Sequence, residues 1–307
     1  MTDYSELIPL NTKKPFVQFL VSMLVILITA IAGLVITLLT AWLFFGIAPG
    51  GVEIGQLNLS VREVNYFKYL QTFQHLSMFL LPALLIAYLM KGEFSSYMGL
   101  RKSPGLIAAV LCMLLIFFLI PLNSYLAWLN SGLDLPEWLD ALEEWMGRKE
   151  SQTERITQVL MVAGTPGALI INIIIIAILP AAGEEFLYRG VLQNIFKGWL
   201  KSGNIAVILT ALIFSAAHLQ FYGFLPRFIL GLVFGYIYLW SSNIWMPVLT
   251  HLVNNAIPVI LSYFYGWDNI NSTMDELSSK EGLMVIIPTV IVFLIMATIY
   301  KVSKKDH

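Results

Sequence analysis

Long apolar runs separated by short polar segments dominate the chain. A run of about 20 mainly apolar residues is long enough to cross a bilayer as a helix. By that measure the pattern predicts eight spans, at 16–45, 69–90, 105–129, 166–189, 204–220, 226–241, 245–264 and 282–300. The first begins after Pro15 and is far longer than the roughly 7–15 apolar residues of a signal peptide, so it is expected to remain as a membrane helix. The fourth runs on into VLQNIFKGWLKSG, which is expected to be amphipathic and interfacial. The segment 136–160 places Trp138, Leu142 and Trp145 on one helical face and charges on the others, which predicts an amphipathic helix on the membrane surface. No internal repeat, low-complexity tract or linker divides the chain. The expectation is one integral membrane domain over 1–307, an all-α polytopic bundle of about eight transmembrane helices with an added surface helix.

Composition agrees. Of 307 residues 58% are hydrophobic and only 12% charged, where a soluble domain carries about 25% charged residues. The bilayer is therefore the first partner implied, in a multi-pass cell-membrane protein. A net charge of -1, with no basic run, zinc-finger spacing or Gly-rich phosphate loop, gives no sign of a nucleic-acid partner. The single cysteine, Cys112, rules out an intrachain disulfide. Lys13 and Lys14, then Lys91, Arg101 and Lys102, then Lys197 and Lys201, and finally Lys301, Lys304 and Lys305 all fall on one side of an eight-span chain. The acidic loops Asp134 to Glu154 and Asp268 to Glu281 fall on the other. The positive-inside rule then places both termini in the cytoplasm.

Against this background the charged residues inside the later spans are unexpected. Each costs about 2.5–3.5 kcal/mol on insertion scales and marks a functional position by default. In GEEFLYR, Glu185 and Arg189 are four apart and can pair on one helix face. Glu184 is rotated by about 100° from Glu185 and has no obvious local partner. A structural ion pair joining two helices explains Glu185 and Arg189 as well as direct chemistry does, whereas Glu184 points to a general base or acid. In FSAAH, Phe214 and His218 share a face, and in HLVNN, His251 and Asn255 do, with Asn254 on its flank. A lone membrane histidine often serves only as an interhelical hydrogen-bonding group. That bland role is assigned to His75, in the second span. The case for the others rests on three polar pairs within about 70 residues. At about 1.5 Å per residue Glu184 and His218 reach similar depth, and His251 joins them if its helix begins below the surface or tilts.

A carboxylate, two imidazoles and an amide around one intramembrane cavity suit water-mediated acyl transfer. Glu184 would take a proton from water that His218 helps to hold, while His251 and Asn255 donate to the developing oxyanion. A covalent route has one nucleophile available, Ser215, but a helical serine more often bonds its own backbone.

The ordered set EExxxR (Glu184, Glu185, Arg189), FxxxH (Phe214, His218) and HxxxN (His251, Asn255) resembles the CAAX-protease and bacteriocin-processing family, which groups type II CAAX prenyl endopeptidases with bacterial Abi proteins. The resemblance covers about 166–265, the expected catalytic core. It implies an intramembrane endopeptidase in which Glu184 and His218 activate water, His251 and Asn255 form the oxyanion site, and Glu185, Arg189 and Phe214 support them. The implied substrate is a membrane-associated peptide or protein of CAAX, leader or bacteriocin type, cleaved toward the cytoplasmic half of the membrane. Glu184, His218 and His251 could instead hold zinc with one position left for water, but HExxH is missing. A metal-free glutamate mechanism is expected, with zinc as the alternative. Two other classes remain: a non-catalytic scaffold or immunity protein that keeps the fold, and a proton-relaying transporter, which would usually show inverted repeats with broken helices.

Overall fold

A computed structural model describes residues 10–52, 59–91, 94–101, 103–132, 135–278 and 283–305. Lys102, Asp134, Glu281 and the two chain ends, on which part of the orientation argument rests, lie outside them. All regular structure among the described residues is helical: α1 (Pro15–Phe45), α2 (Val61–Met90), α3 (Leu106–Ser131), α4 (Asp140–Met161), α5 (Pro166–Leu200), α6 (Gly203–Ala217), α7 (Phe224–Ser241), α8 (Trp245–Tyr265), α9 (Trp267–Ser278) and α10 (Leu283–Lys305). Among the described residues seven helices are long and apolar enough to cross a membrane. The exception among the eight expected spans is α6, whose 15 residues reach only about 22 Å against a hydrocarbon core of about 30 Å.

Several boundaries differ from the sequence reading. The second span starts eight residues early, at Val61, because Ser60 and Glu63 form a reciprocal capping box: the Ser60 amide donates to Glu63 at 2.7 Å and Ser60 Oγ accepts from the Glu63 amide at 3.4 Å. The fourth span runs on as helix through Leu200, buried at Ile195 and Phe196 and exposed over 197–200, and stops where Lys201 turns left-handed, φ 52°. The acidic segment after α8 is not a loop: Trp267–Ser278 is helical and packs on α3. The surface helix α4 is present, preceded by a 3-10 turn at Glu137–Leu139.

Core packing among the described residues divides among three clusters. One joins α2, α5 and the start of α8 around Ile86, Val191 and Ile244, another joins α3, α7 and α10 around Leu115, Phe234 and Ile299, and a third joins α5 and α6 around Tyr188, Ala206 and Phe214. Outside them, Leu24, Ile31 and Leu39 of α1 and Phe293 of α10 are exposed, as side chains facing lipid should be.

Contacts between helix ends fix the up-and-down course. At one end Phe16 meets Trp199 at 5.6 Å, Trp245 Nε1 donates to the Leu100 carbonyl at 2.9 Å, and Trp240 meets Tyr300 at 5.2 Å. At the other, Lys68 Nζ donates to the Val162 carbonyl at 2.7 Å and Asn130 Nδ2 to the Phe221 carbonyl at 2.7 Å. The second end carries α4, whose Glu150 accepts from Gln220 at 3.5 Å.

Candidate active site

Helix α5 carries most of the polar groups, and its backbone is irregular around them. Wide π-turns occupy Ile173–Ile178 and Phe186–Gln193, and a third, Leu76–Leu80, lies in α2. The turns at 173–178 and 76–80 each end two residues before a proline, Pro180 and Pro82. A proline inside a helix lacks a donor and clashes with the carbonyl four residues back, and a widened turn relieves both problems. Glu184 and Glu185 sit between the two π-turns of α5, both buried.

The first group forms around Glu184. Its Oε1 lies 3.2 Å from His75 Nε2. Its Oε2 has no hydrogen-bond partner and lies 3.9 Å from His218 Nε2. His218 stands at the last turn of α6, where Leu219 adopts φ 53° and the helix stops. Its Nδ1 is 2.7 Å from the Phe214 carbonyl. A carbonyl can only accept, so Nδ1 carries the hydrogen and Nε2 turns a bare lone pair toward Glu184. Two acceptors separated by 3.9 Å, with no donor between them, make a place for a water molecule. Such a water would donate one hydrogen to each acceptor and keep its oxygen lone pair free. His218 is more open than Glu184, with 29% of its side chain exposed against 8%.

The second group forms around Glu185 and holds the first in place. Glu185 Oε1 accepts from Arg189 Nη1 at 2.8 Å and from His251 Nδ1 at 2.8 Å. Arg189 is fully buried and also donates to the Gly231 carbonyl at 3.1 Å, while Gln193, one turn on, donates to the Gly235 carbonyl at 3.0 Å. Gly231 and Gly235 belong to a small-xxx-small stripe, GLVFG, that brings α7 against α6. A β-carbon at Gly231 would lie 3.1 Å from Ala211 Cα. The Arg189 guanidinium lies 4.7 Å from the Phe214 ring and 5.4 Å from Phe234, a cation–π arrangement. Phe214 meets His218 edge-on at 4.9 Å, and Phe234 stacks on His251 at 5.0 Å. The two carboxylate groups therefore share aromatic walls.

The residues singled out from the sequence thus separate by role. Glu184 and His218 face one another; Glu185, Arg189, Phe214 and His251 form the layer behind. With Nδ1 donating to Glu185, His251 has a second donor only as the imidazolium. Asn255 is not brought to Glu184: its amide reaches the Ile176 carbonyl at 3.4 Å, and its Oδ1 accepts from Asn254 at 3.1 Å. Ser215 donates to the Phe224 carbonyl at 2.6 Å, closing the turn between α6 and α7, so its hydroxyl is occupied and has no base beside it. Among the described residues no three His, Cys, Asp or Glu side chains are arranged to hold a metal ion, and Glu184, His218 and His251 do not converge as a zinc site. His75, given a bland structural role in the sequence reading, is in fact a direct partner of Glu184. Gln71 and His75, four apart in the second span, were the available signal.

Glu184 lies about 27 Å along α5 from Pro166 and about 24 Å from Leu200. The site therefore lies near the middle of α5. The half-exposed His218 and the turn after it point to the end that carries α4.

Fold and site together define a class: a polytopic α-helical membrane protein with a buried glutamate–histidine centre backed by an ion pair. Residues 166–257 match the family model of Rce1-like type II CAAX prenyl endopeptidases. The likeness to that family rests on this segment. Relatives include the membrane-embedded CAAX protease MroQ of Staphylococcus aureus (strain USA300), 31% identical over 96 residues that make up 29% of this chain and 38% of that protein. YpbD of Bacillus subtilis (strain 168) is 32% identical over 90 residues, 28% of this chain and 43% of that one. A 24.3 kDa protein of Escherichia coli is 31% identical over 88 residues, 27% and 41% respectively. The chain spans about two-fifths of the length of these curated relatives. No solved structure matches it.

Proposed function

We propose that the protein is an intramembrane endopeptidase that hydrolyses a peptide bond of a membrane-associated peptide or protein with water activated by Glu184 and His218. The observation that carries the reading is the unpartnered Oε2 of Glu184 facing His218 Nε2 across 3.9 Å. A water held there gives one proton to Glu184 as its oxygen attacks the scissile carbonyl carbon. The tetrahedral intermediate then collapses, the C–N bond breaks, and the proton held by Glu184 passes to the leaving amine. Excluding bulk water strengthens each of these electrostatic contacts. Asn255, one turn beyond His251, supplies an amide to the oxyanion once it leaves the long Ile176 contact, and His251 contributes as an imidazolium backed by Glu185. Glu185 and Arg189 keep His251 and the α5–α7 contact in register. The substrate reaches the site from the α4 end, beside His218. Both ends of the chain lie on the cytoplasmic face, in keeping with the lysine placement.

The test compares purified wild type with Glu184→Gln on a panel of lipidated and plain membrane peptides, with and without a chelator. Cleavage by wild type should fall by at least about 10²-fold in the variant, the scale of general acid–base catalysis, and should survive chelation. Cleavage that persists in Glu184→Gln overturns the glutamate mechanism. Loss on chelation, restored by zinc, moves the chemistry to a metal.

A further inference from the structure

His75 enters the site from outside the three motifs. It lies in α2, 109 positions before Glu184. Its Nε2 is 3.2 Å from Glu184 Oε1 and its Nδ1 is 3.1 Å from Gln71 Nε2, one turn earlier on the same helix. The Gln71 amide nitrogen is a donor, so Nδ1 accepts, and the hydrogen of a neutral ring sits on Nε2, aimed at the carboxylate. The ring is 9% exposed and lies against Phe79, centroids 5.1 Å apart. Phe79 belongs to the π-turn that follows His75. Its Cβ is 3.2 Å from where a β-carbon on Gly183 would stand, so the glycine immediately before Glu184 is what admits α2 this close. Three separate features of the chain thus bring this imidazole to this carboxylate.

We propose that His75 is the positioning residue of the glutamate base: by donating to Oε1 it fixes the carboxylate plane and leaves Oε2 alone to take the proton of the attacking water. The terminal torsion of a glutamate is broad and roughly two-fold. Without a second anchor the carboxylate would turn its oxygens in and out of the line toward His218. Misplacing a catalytic group by about 1 Å costs on the order of 10²-fold. Gln71 sets the tautomer, and so acts one step further back. This assignment rests on the peptidase reading, but the contact itself does not.

Two measurements test it. The first is steady-state cleavage by His75→Phe, which keeps the ring packing on Phe79 and loses the donor, and by His75→Gln, whose amide reaches about as far as Nε2. Phe should lower kcat about 10–100-fold with KM within about twofold and little change in melting temperature, and Gln should recover part of that loss. Wild-type kcat in His75→Phe overturns the proposal while leaving Glu184 as the base. Equal losses in both variants, tracking a lower melting temperature, reduce His75 to a helix-packing residue and also overturn it. The second measurement needs no substrate. The infrared carboxylate band that disappears in Glu184→Gln should shift in His75→Phe and return toward its wild-type position in His75→Gln. If wild type cleaves nothing, the peptidase reading fails, and this band alone decides: an unshifted band removes His75 from Glu184, and a shifted one keeps it there.

Discussion

At the residue scale, the site is built by giving each buried charge a different number of partners. Glu185 receives two strong donors, Arg189 and His251, and is fully enclosed. Glu184 receives one; each carboxylate leaves its Oε2 without a hydrogen-bond partner, but that of Glu184 faces His218 Nε2. Adjacent glutamates facing different neighbours thereby become a structural and a reactive carboxylate. The cost of breaking the structural one can be stated. Arg189→Met leaves Glu185 buried with only His251, and removing one member of a buried pair typically costs about 3–5 kcal/mol. The variant should melt well below wild type and recover poorly from the membrane. The double variant Arg189→Met with Glu185→Gln should regain a large part of that loss, since no unpaired charge remains. Thermal melts of the single and double variants check this; a double variant no better than Arg189→Met would mean that the guanidinium matters mainly through its contacts with Phe214, Phe234 and Gly231.

At the element scale, the sequence was a good guide wherever a motif repeats within one helix, and a poor one wherever two helices meet. The i, i+4 spacing of Glu185 with Arg189 correctly indicated their pairing, because a regular turn already sets that distance. The partnership of Glu184 with His75 needed a proline-relieved π-turn in α2 and a glycine in α5, neither of which shows as periodicity. The same is true of Gln193 and Arg189 reading the carbonyls of Gly235 and Gly231. The start of α2 was missed although Ser60 and Glu63 spell a capping box, because hydropathy alone discounts the polar turn VREVNYFK. Asn255 was grouped with His251 by spacing, yet its amide points along α5 to Ile176. The turn after α6 shows another interplay of elements. Glu150 of α4 lies against it, half-buried near Arg227, with one carboxyl oxygen unpartnered, and burial raises its pKa more than Arg227 lowers it. A carboxyl whose folded pKa is raised favours the fold below its ordinary pKa, and loses that contribution as pH climbs through the raised value. Glu150→Gln should therefore be as stable as wild type or more so at neutral pH, with the difference vanishing as pH falls below the ordinary carboxylate range. Melting curves across pH decide the sign: a variant weaker than wild type at neutral pH would show that the attraction of Arg227 outweighs burial.

At the scale of the whole molecule, the short helix α6 decides where the chemistry sits. A span of full length would carry His218 to the membrane surface, but 15 residues bring it only to the level of Glu184. The remaining depth is filled by the turn at 218–223, which is held by Asn130 and by α4. With the short α6 running between the same two ends as the seven longer helices, the described beginning and end of the chain lie at one end of the bundle and α4 at the other. Together with the lysine placement, this predicts that Lys201 and Lys304 face the cytoplasm, that Arg148 faces the opposite compartment, and that the site opens on Arg148's side. Cys112 is fully buried, so Cys112→Ala gives a background for single-cysteine labelling. In intact cells an impermeant maleimide should label Arg148→Cys and leave Lys201→Cys and Lys304→Cys untouched, and inside-out vesicles should reverse the pattern. The reversed pattern in intact cells would invert the protein and put the His218 mouth on the cytoplasmic face. Labelling of Lys201→Cys and Lys304→Cys from opposite sides would break the eight-crossing topology itself, and with it the common depth of Glu184 and His218.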